Sequence, residues 1–421
     1  MSVKITGKIK DIEKTAEGGN MSALSDNSSD GMPANLQNAD LQNGNRRSGE
    51  YSSDGYPASA TDRASQTSPL RQQIRPQSAQ QVRQPQNRRA QITLTPDVLK
   101  ACAQITGRIR THLSQGLIGQ EHLRESLITA LTAGGHILIE SVPGLAKTTA
   151  SQLLATAVSG SFRRIQCTPD LMPSDLTGTE IFDFSTQKMT AQIGPIHANF
   201  VLLDEINRSG AKTQSAMLEA MAEGATTIGG KRIELPKPFM VIATQNPIEE
   251  EGTYNLPEAQ ADRFMMKTVI TYPSHEQEVE MLSLITQRKA DFLPSTASEA
   301  SVPLKDLQTL QACAKAVHVS KPIADYVVSI VETSRGKGPK PIPGLKNLVR
   351  LGASPRASIA LIRAGQAQAL MKGRDYVIPE DIRAFMHDIL RHRILLTFEA
   401  AADGITADRV TDAVVKAVPV P

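Results

Sequence analysis

Residues 136 to 149, His-Ile-Leu-Ile-Glu-Ser-Val-Pro-Gly-Leu-Ala-Lys-Thr-Thr, set a lysine and two threonines directly after a glycine-bearing turn that follows an apolar run. This order suits the grip of a nucleoside triphosphate. After Pro143, which has no N–H to give, the backbone N–H groups of Gly144-Leu145-Ala146 and of the residues that follow would converge on phosphate oxygens. The Lys147 ammonium would reach the β- and γ-phosphates, and the Thr148 hydroxyl would ligate Mg²⁺, with Thr149 beside it. Alanine at 146 begins the helix, where it is preferred to glycine by roughly 1 kcal/mol. Ser141 stands where the phosphate-loop consensus has its first glycine, and a side chain there is strained if the turn requires positive φ. Taken alone, the segment also fits an ordinary strand-to-helix turn.

A second chemical cluster follows the apolar run Phe200 to Leu203, which ends in Asp204 and Glu205 and continues Ile206-Asn207-Arg208. In phosphoryl transfer the first of two adjacent carboxylates at a strand end can hold Mg²⁺ through water. The second can orient and deprotonate the attacking water. A strand whose acids begin the next helix is the plain alternative. A third apolar run, Phe239 to Ala243, ends in Thr244-Gln245-Asn246-Pro247 and delivers the Asn246 amide for the γ-phosphate or the lytic water, although Asn-Pro is also a turn signal. Three strands carrying such ends in this order describe an open α/β sheet with a ligand at its carboxyl edge.

These segments and others together resemble the MoxR family of AAA+ ATPases. The matching strings are Ile118-Gly119-Gln120, Val142 to Thr148, Thr168-Pro169-Asp170-Leu171, Leu203 to Arg208, Lys212-Thr213-Gln214, Ala243 to Pro247, Glu251-Gly252-Thr253-Tyr254, Leu256 to Gln260 with Asp262-Arg263-Phe264, and Gly352-Ala353-Ser354-Pro355-Arg356. The resemblance runs from about residue 95 to the C-terminus. It implies that Ile118 and Gly119 form a backbone hook beside adenine, that Lys147 and Thr148 are the Walker A pair, and that Asp204 and Glu205 are the Walker B pair. Asn246 resembles the first sensor, Arg263 an arginine finger that enters a neighbouring subunit's site, and Arg356 the second sensor on a helical lid. Where the family usually has glycine this chain has Ser141.

The two arginines also read from their own surroundings. Ser354 and Pro355 look like an N-cap and a first-turn proline, so Arg356 falls in the first turn of a helix running to about Met371. A cation there opposes the helix dipole unless an anion is to be bound. Arg263 follows Asp262, and a local ion pair is its ordinary alternative. Arg208 and Glu258 receive no role.

The elements that must position these residues follow from the same pattern. Thr95-Pro96-Asp97 opens a helix whose apolar positions Val98, Cys102, Ile105, Ile109 and Leu113 keep helical spacing, and that helix is expected to pack on the sheet. Two hairpins interrupt the α/β order. One runs from Ile181 to Ile193, turning near Ser185 to Lys188; the other runs from Thr226 to Leu235, turning at Gly229-Gly230. In position they resemble the helix-2 insert and pre-sensor hairpin of the wider AAA+ clade, and are equally readable as structural extensions. Beyond Pro273 the pattern predicts helices over 276–288, 304–317, 323–334, 355–371 and 379–392. The expected organisation is an extension over 1–92, a nucleotide-binding core with a central parallel sheet over 93–272, and an all-α lid over 273–421.

The first ninety or so residues are rich in Ser, Asn, Gln, Arg and Pro and repeat Ser-Ser-Asp-Gly before Met-Pro-Ala and Tyr-Pro-Ala, which reads as a disordered, solvated tail. Between 46 and 89 it carries eight arginines against three acids, so a weak anionic partner is conceivable there. A net charge of +3 and an aromatic content of 4% with no Trp argue against nucleic-acid binding. Cys102, Cys167 and Cys313 lack metal-ligand spacing and read as buried apolar residues in a reducing compartment. The eight histidines form no ligand spacing either: His136 opens a strand, while His387 and His392 read as surface residues of a late helix. Without a signal peptide or an apolar run of about 18 residues, the expected location is the cytoplasm, free or peripheral to the inner membrane.

The function expected from all this is ATP hydrolysis by a ring, a hexamer by resemblance, with ATP and Mg²⁺ as cofactors and each site completed by its neighbour. The resemblance further implies chaperone-like maturation or metal-cofactor loading of a client protein, often beside a partner bearing a von Willebrand factor A domain. The alternative is a nucleotide-gated assembly switch with little turnover.

Overall fold

The computed structural model describes residues 92–421 apart from 143, 146, 248–253, 255 and 288–300, and apart from the side chains of 284, 285 and 287. The N-terminal extension, Pro143, Ala146, the Glu251-Gly252-Thr253 string and Arg288 therefore lie outside the described residues.

The first half alternates helices and strands: α1 (Pro96–Ser114), α2 (Glu121–Ala133), β1 (Ile137–Ser141), α3 (Lys147–Ala157), β2 (Phe162–Gln166), α4 (Pro173–Thr177), β3 (Gly178–Asp183), β4 (Lys188–Ile193) and β5 (Phe200–Asp204). A 3₁₀ turn, Ile206–Arg208, leads to α5 (Ala211–Glu223), β6 (Ala225–Ile228), β7 (Lys231–Glu234), β8 (Met240–Gln245), α6 (Glu258–Ala261) and β9 (Met266–Ile270). Helices then dominate: α7 (His275–Gln287), α8 (Leu304–Ala316), α9 (Lys321–Ser334), α10 (Leu345–Leu348), α11 (Pro355–Met371), α12 (Pro379–Arg383), α13 (Met386–Leu390), α14 (Phe398–Ala402) and α15 (Ala407–Ala417). One two-stranded sheet, β10 (Val349–Leu351) with β11 (Leu395–Leu396), lies among them.

The five strands β2-β5-β8-β1-β9 form one parallel sheet in that spatial order. β1, β5 and β8 are short apolar runs, as expected where both faces are covered, whereas the edge strand β2 (Phe-Arg-Arg-Ile-Gln) is largely polar and exposed. Alternation divides them: Ile137, Ile139, Phe200, Leu202 and Ile242 enter one core, and Leu138, Val201, Leu203, Val241 and Ala243 the other. The first core continues through α1, α2 and α3 into α8, α9 and α11, so sheet and lid share one hydrophobic cluster. At the centre of the lid α11 carries Ala357, Ala360, Ala364, Gly365 and Ala367. These small residues let neighbours approach closely: a Cβ on Gly365 would stand 2.6 Å from Ile382 Cδ1.

Both hairpins form. The β6–β7 pair turns at Gly229 and Gly230, with φ of 55° and 75°, the two positive values that a type I′ turn requires. The β3–β4 pair begins at Gly178, three residues before the Ile181 expected from the sequence. One of its faces is solvated although apolar, with exposed Phe182 opposite exposed Met189, and beyond it Phe184 is 86% exposed and packs edge-on against Phe182.

Three expectations are corrected. Helix α1 packs mainly on α2, α3, α8 and α11 rather than on the sheet, because α2 and α3 already cover that sheet face. The helix expected over 379–392 is broken into α12 and α13, since Phe385 leaves helical geometry (φ −125°, ψ 25°) and turns inward. His392 is not a surface residue: it is buried, with Nε2 donating to the Phe264 carbonyl at 3.2 Å. All three cysteines are buried and free, and burial pushes the Cys102 and Cys167 thiols up to about 12.

Candidate nucleotide-binding site

The carboxyl ends of β1, β5 and β8 meet at one edge of the sheet, with Glu140 opposite Gln245 and Leu203 opposite Ala243. Beyond β1 the chain turns through Gly144, where φ is +84° and nothing lies within 4 Å of an added Cβ. Helix α3 starts at Lys147, so Lys147, Thr148 and Thr149 form its first turn. The Lys147 ammonium reaches back across the turn and donates to the Ser141 carbonyl at 3.3 Å. Ser141 ends β1, is buried, and is not among the residues with positive φ. The backbone therefore does not demand glycine there, and its hydroxyl is occupied by the Val142 carbonyl at 3.0 Å.

The loop holding Ile118 and Gly119 lies against this region. An added Cβ on Gly116 would meet Leu153 of α3 at 2.5 Å, and one on Gly119, where φ is +68°, would meet Gln277 of α7 at 2.9 Å. A left-handed glycine at 119 permits that close approach to α7.

Asp204 and Glu205 stand beside the loop but face different partners. Asp204 is buried; one carboxylate oxygen accepts from the Thr244 hydroxyl at 2.7 Å, and the other from Arg164 Nη2 at 2.6 Å. The same Thr244 oxygen accepts the Glu205 N–H at 2.8 Å, tying the carboxylate pair to β8. Glu205 adopts the left-handed conformation, φ 57° and ψ 54°, which swings its side chain out of the strand. Its Oε2 accepts from Gln166 Nε2 and from Arg208 Nη1, each at 3.1 Å. Asn246 follows β8 and is buried at the same edge.

The donors fit Mg²⁺ and a nucleotide. The Thr148 hydroxyl and the Asp204 carboxylate are hard oxygens, and Arg164 already places a cation on Asp204. Among the described residues no cluster of three or more His, Cys, Asp or Glu forms an all-protein metal cage. Hard oxygens of this kind suit an ion whose remaining ligands phosphates and water would supply. Sequence reasoning gave no role to Arg164, Gln166, Thr244 or Arg208. The alternating polar side chains at 164 and 166 of a strand were the available signal for the first two.

Arg263 and Arg356 lie elsewhere. Strand β9 starts opposite the start of β1, and Met265 N donates to the His136 carbonyl at 2.8 Å, so residues 263–265 mark the amino edge of the sheet. Five residues of β1 separate that edge from the phosphate loop, roughly 16 Å at about 3.3 Å per residue. There Arg263, Arg356, Arg363 and Arg393 line one cavity of about 340 Å³ with Asp262 as its acid. Among the described residues Asp262 pairs with Arg393 at 2.7 Å and Arg356 at 3.8 Å, not with the adjacent Arg263. It also accepts from the Ser354 hydroxyl at 2.8 Å, while Ser354 accepts the Arg356 N–H as the N-cap of α11. The structure thus unites the two sequence-predicted arginines with each other and separates both from Lys147, Glu205 and Asn246.

Two family models match this chain: the ATPase family associated with various cellular activities over residues 136–266, and an AAA lid domain over 345–414. Chaperone MoxR1 of Mycobacterium tuberculosis is 44% identical over 72% of this chain and 79% of its own length. Protein MoxR of Methylorubrum extorquens is 28% identical over 75% of this chain and 94% of its own. The crystal structure of a putative ATPase from Cytophaga hutchinsonii superposes with a TM-score of 0.71 at 38% identity, covering 77% of this chain and 98% of that one. The parallel sheet with its phosphate loop, the helical lid and these likenesses agree: the chain belongs to the MoxR family of AAA+ ATPases.

Proposed function

We propose that the protein binds ATP with Mg²⁺ at the carboxyl edge of the sheet and hydrolyses it to ADP and phosphate in a ring of identical subunits. The observation that carries this reading is the meeting of Lys147, Asp204, Glu205 and Asn246 at one sheet edge, with two candidate charge-neutralising arginines at the other. Backbone N–H groups of the loop through Gly144 and Leu145, with Lys147 and Thr149, hold the phosphates. Thr148 and Asp204 hold Mg²⁺, which when bound neutralises phosphate charge. Glu205, once released by Gln166 and Arg208, takes a proton from the attacking water, and Asn246 orients that water. Ile118 and Gly119 border the base.

Arg263 and Arg356 cannot reach the phosphates of their own subunit across the sheet. In a closed ring their cleft faces the carboxyl edge of the next subunit, where both stabilise charge developing on the transferred phosphoryl group. The work output is chaperone-like remodelling of a client, in keeping with the similarity to the mycobacterial chaperone MoxR1. The exposed apolar face of β3–β4 is the surface offered to that client, with maturation or metal loading, and a von Willebrand factor A domain partner, as the expected setting. A core over 93–272 and a lid over 273–421 divide these tasks.

Steady-state ATPase rate against protein concentration tests this reading, using the natural chain, Lys147→Ala, Arg263→Ala and an equal mixture of the two variants. Specific activity should rise with assembly and fall by about 10³-fold or more in either variant. The mixture should recover turnover at roughly a quarter of its interfaces, those pairing an intact loop with an intact arginine. Nucleotide binding without turnover in assembled natural protein would select the assembly switch instead. Recovery absent from a mixture shown to co-assemble would overturn action in trans.

A further inference from the structure

Arg164 sits on β2, the edge strand beside β5, and reaches the end of its neighbour. Its guanidinium donates twice to a single Asp204 oxygen, from Nη2 at 2.6 Å and from Nε at 3.1 Å. These two N–H groups fill both lone pairs of that oxygen, while Thr244 holds the other. The two partners differ in exposure: the Asp204 side chain is 10% exposed, that of Arg164 49%. A buried carboxylate without a counter-charge is costly, whereas a half-exposed arginine on an edge strand gives up, besides this pair, one exposed bond from Nη2 to Gln166 Oε1 at 3.0 Å by swinging into water.

Water bound to Mg²⁺ would donate to Asp204 through the lone pairs that Arg164 now fills. A guanidinium and a divalent ion crowded onto one carboxylate also repel each other. We propose that Arg164 is a positioning residue that acts as a resident counter-cation on Asp204: it keeps the acid compensated in the empty site, must leave when Mg²⁺ enters with nucleotide, and so sets the Mg²⁺ concentration at which the site loads. The proposal rests on the reading of Asp204 as the metal-side carboxylate. It adds an exchange of cations, in which the two Arg164 hydrogen bonds to Asp204 break, the Asp204 oxygen is freed to serve the metal side, and no proton or covalent bond changes hands.

The test is a Mg²⁺ titration of binding to a fluorescent, non-hydrolysable ATP analogue, with the full chain and with Arg164→Met and Arg164→Lys. Arg164→Met should reach half-saturation at about tenfold lower Mg²⁺, the factor expected for losing one charge-assisted competitor. Arg164→Lys, which keeps the charge without the fork, should shift by about threefold in the same direction. The Met variant should melt earlier than the natural chain without metal and regain more stability when Mg²⁺ and analogue are added together. An unchanged or raised Mg²⁺ requirement in Arg164→Met overturns the proposal. If that variant does not fold, an unchanged requirement in Arg164→Lys does so. No analogue binding by the natural chain at any Mg²⁺ concentration overturns the nucleotide reading itself, and with it this one.

Discussion

Glu205 holds its place at a backbone cost. A non-glycine residue at φ 57° gives up about 1–2 kcal/mol, and the strain is retained where it aims a carboxylate out of the strand, toward Gln166 and Arg208. Its bonds to Gln166 and Arg208 are those of a partly exposed group and offset little of this. Glu205→Gly should therefore be at least as stable as the natural chain, gaining up to about 1 kcal/mol in urea unfolding, while losing turnover. A clear loss of stability would show that the side-chain bonds outweigh the strain. At this scale Lys147, Asp204, Glu205 and Asn246 were legible as candidates, Lys147 because it follows a glycine turn after an apolar run and the other three because they close apolar runs. It was silent on Arg164, Gln166 and Thr244. Their meaning comes from the spatial order β2-β5-β8, which brings together residues about 40 and 80 positions apart.

Among the elements, the junction between β9, α11 and the chain after α13 hangs on one carboxylate. Asp262 receives Arg393, Arg356 and the Ser354 hydroxyl, and Arg393 is only 2% exposed while also donating to the carbonyls of Met265, Ile389 and Phe264. Burial alone pushes the Arg393 guanidinium down, and Asp262 opposes that shift. Asp262→Ala should cost about 3–5 kcal/mol in chemical denaturation, because it leaves a buried cation unpaired and removes the partner of the α11 N-cap. Asp262→Asn, which keeps an acceptor, should cost less. The α11 start was legible from Ser354-Pro355, since capping chemistry is local. The break between α12 and α13 was not, because helical spacing of apolar residues continues through it and only tertiary packing of Phe385 ends the first segment. The displacement of α1 from the sheet has the same origin: its amphipathic stripe is genuine, but the stripe does not say which surface it meets.

For the whole molecule, acid should be destabilising well above the range of carboxylate titration. His136 is partly buried as a residue, with its ring edge-on to Phe239 and its Nδ1 accepting the Val241 N–H at 3.0 Å. Burial pushes this ring down to about 4 and holds the His392 ring well below its ordinary value. Between pH 6.5 and about 4 the unfolded chain then binds more protons than the folded one, so stability rises with pH across that window and is lost as pH falls through it. His122 runs the other way: the Asp388 hydrogen bond raises it, and its contribution is present below pH 6.5 and fades as pH climbs through the raised value. Being half-exposed, it is the weaker influence. Urea midpoints at pH 7 and pH 5 should show the loss, and His136→Asn, which retains an acceptor for Val241, should flatten the profile.

The sheet carries its phosphate loop on one edge and its arginine cleft on the other, and the strand length between them has a consequence for when such a molecule acts. A subunit alone is a lock and a key facing opposite directions. If the cleft serves the next subunit's phosphates, turnover begins only where chains meet, and its dependence on amount is steeper than proportional. Dispersal alone would then silence the protein, with no inhibitor and no change of shape, and gathering subunits at one place would start it there.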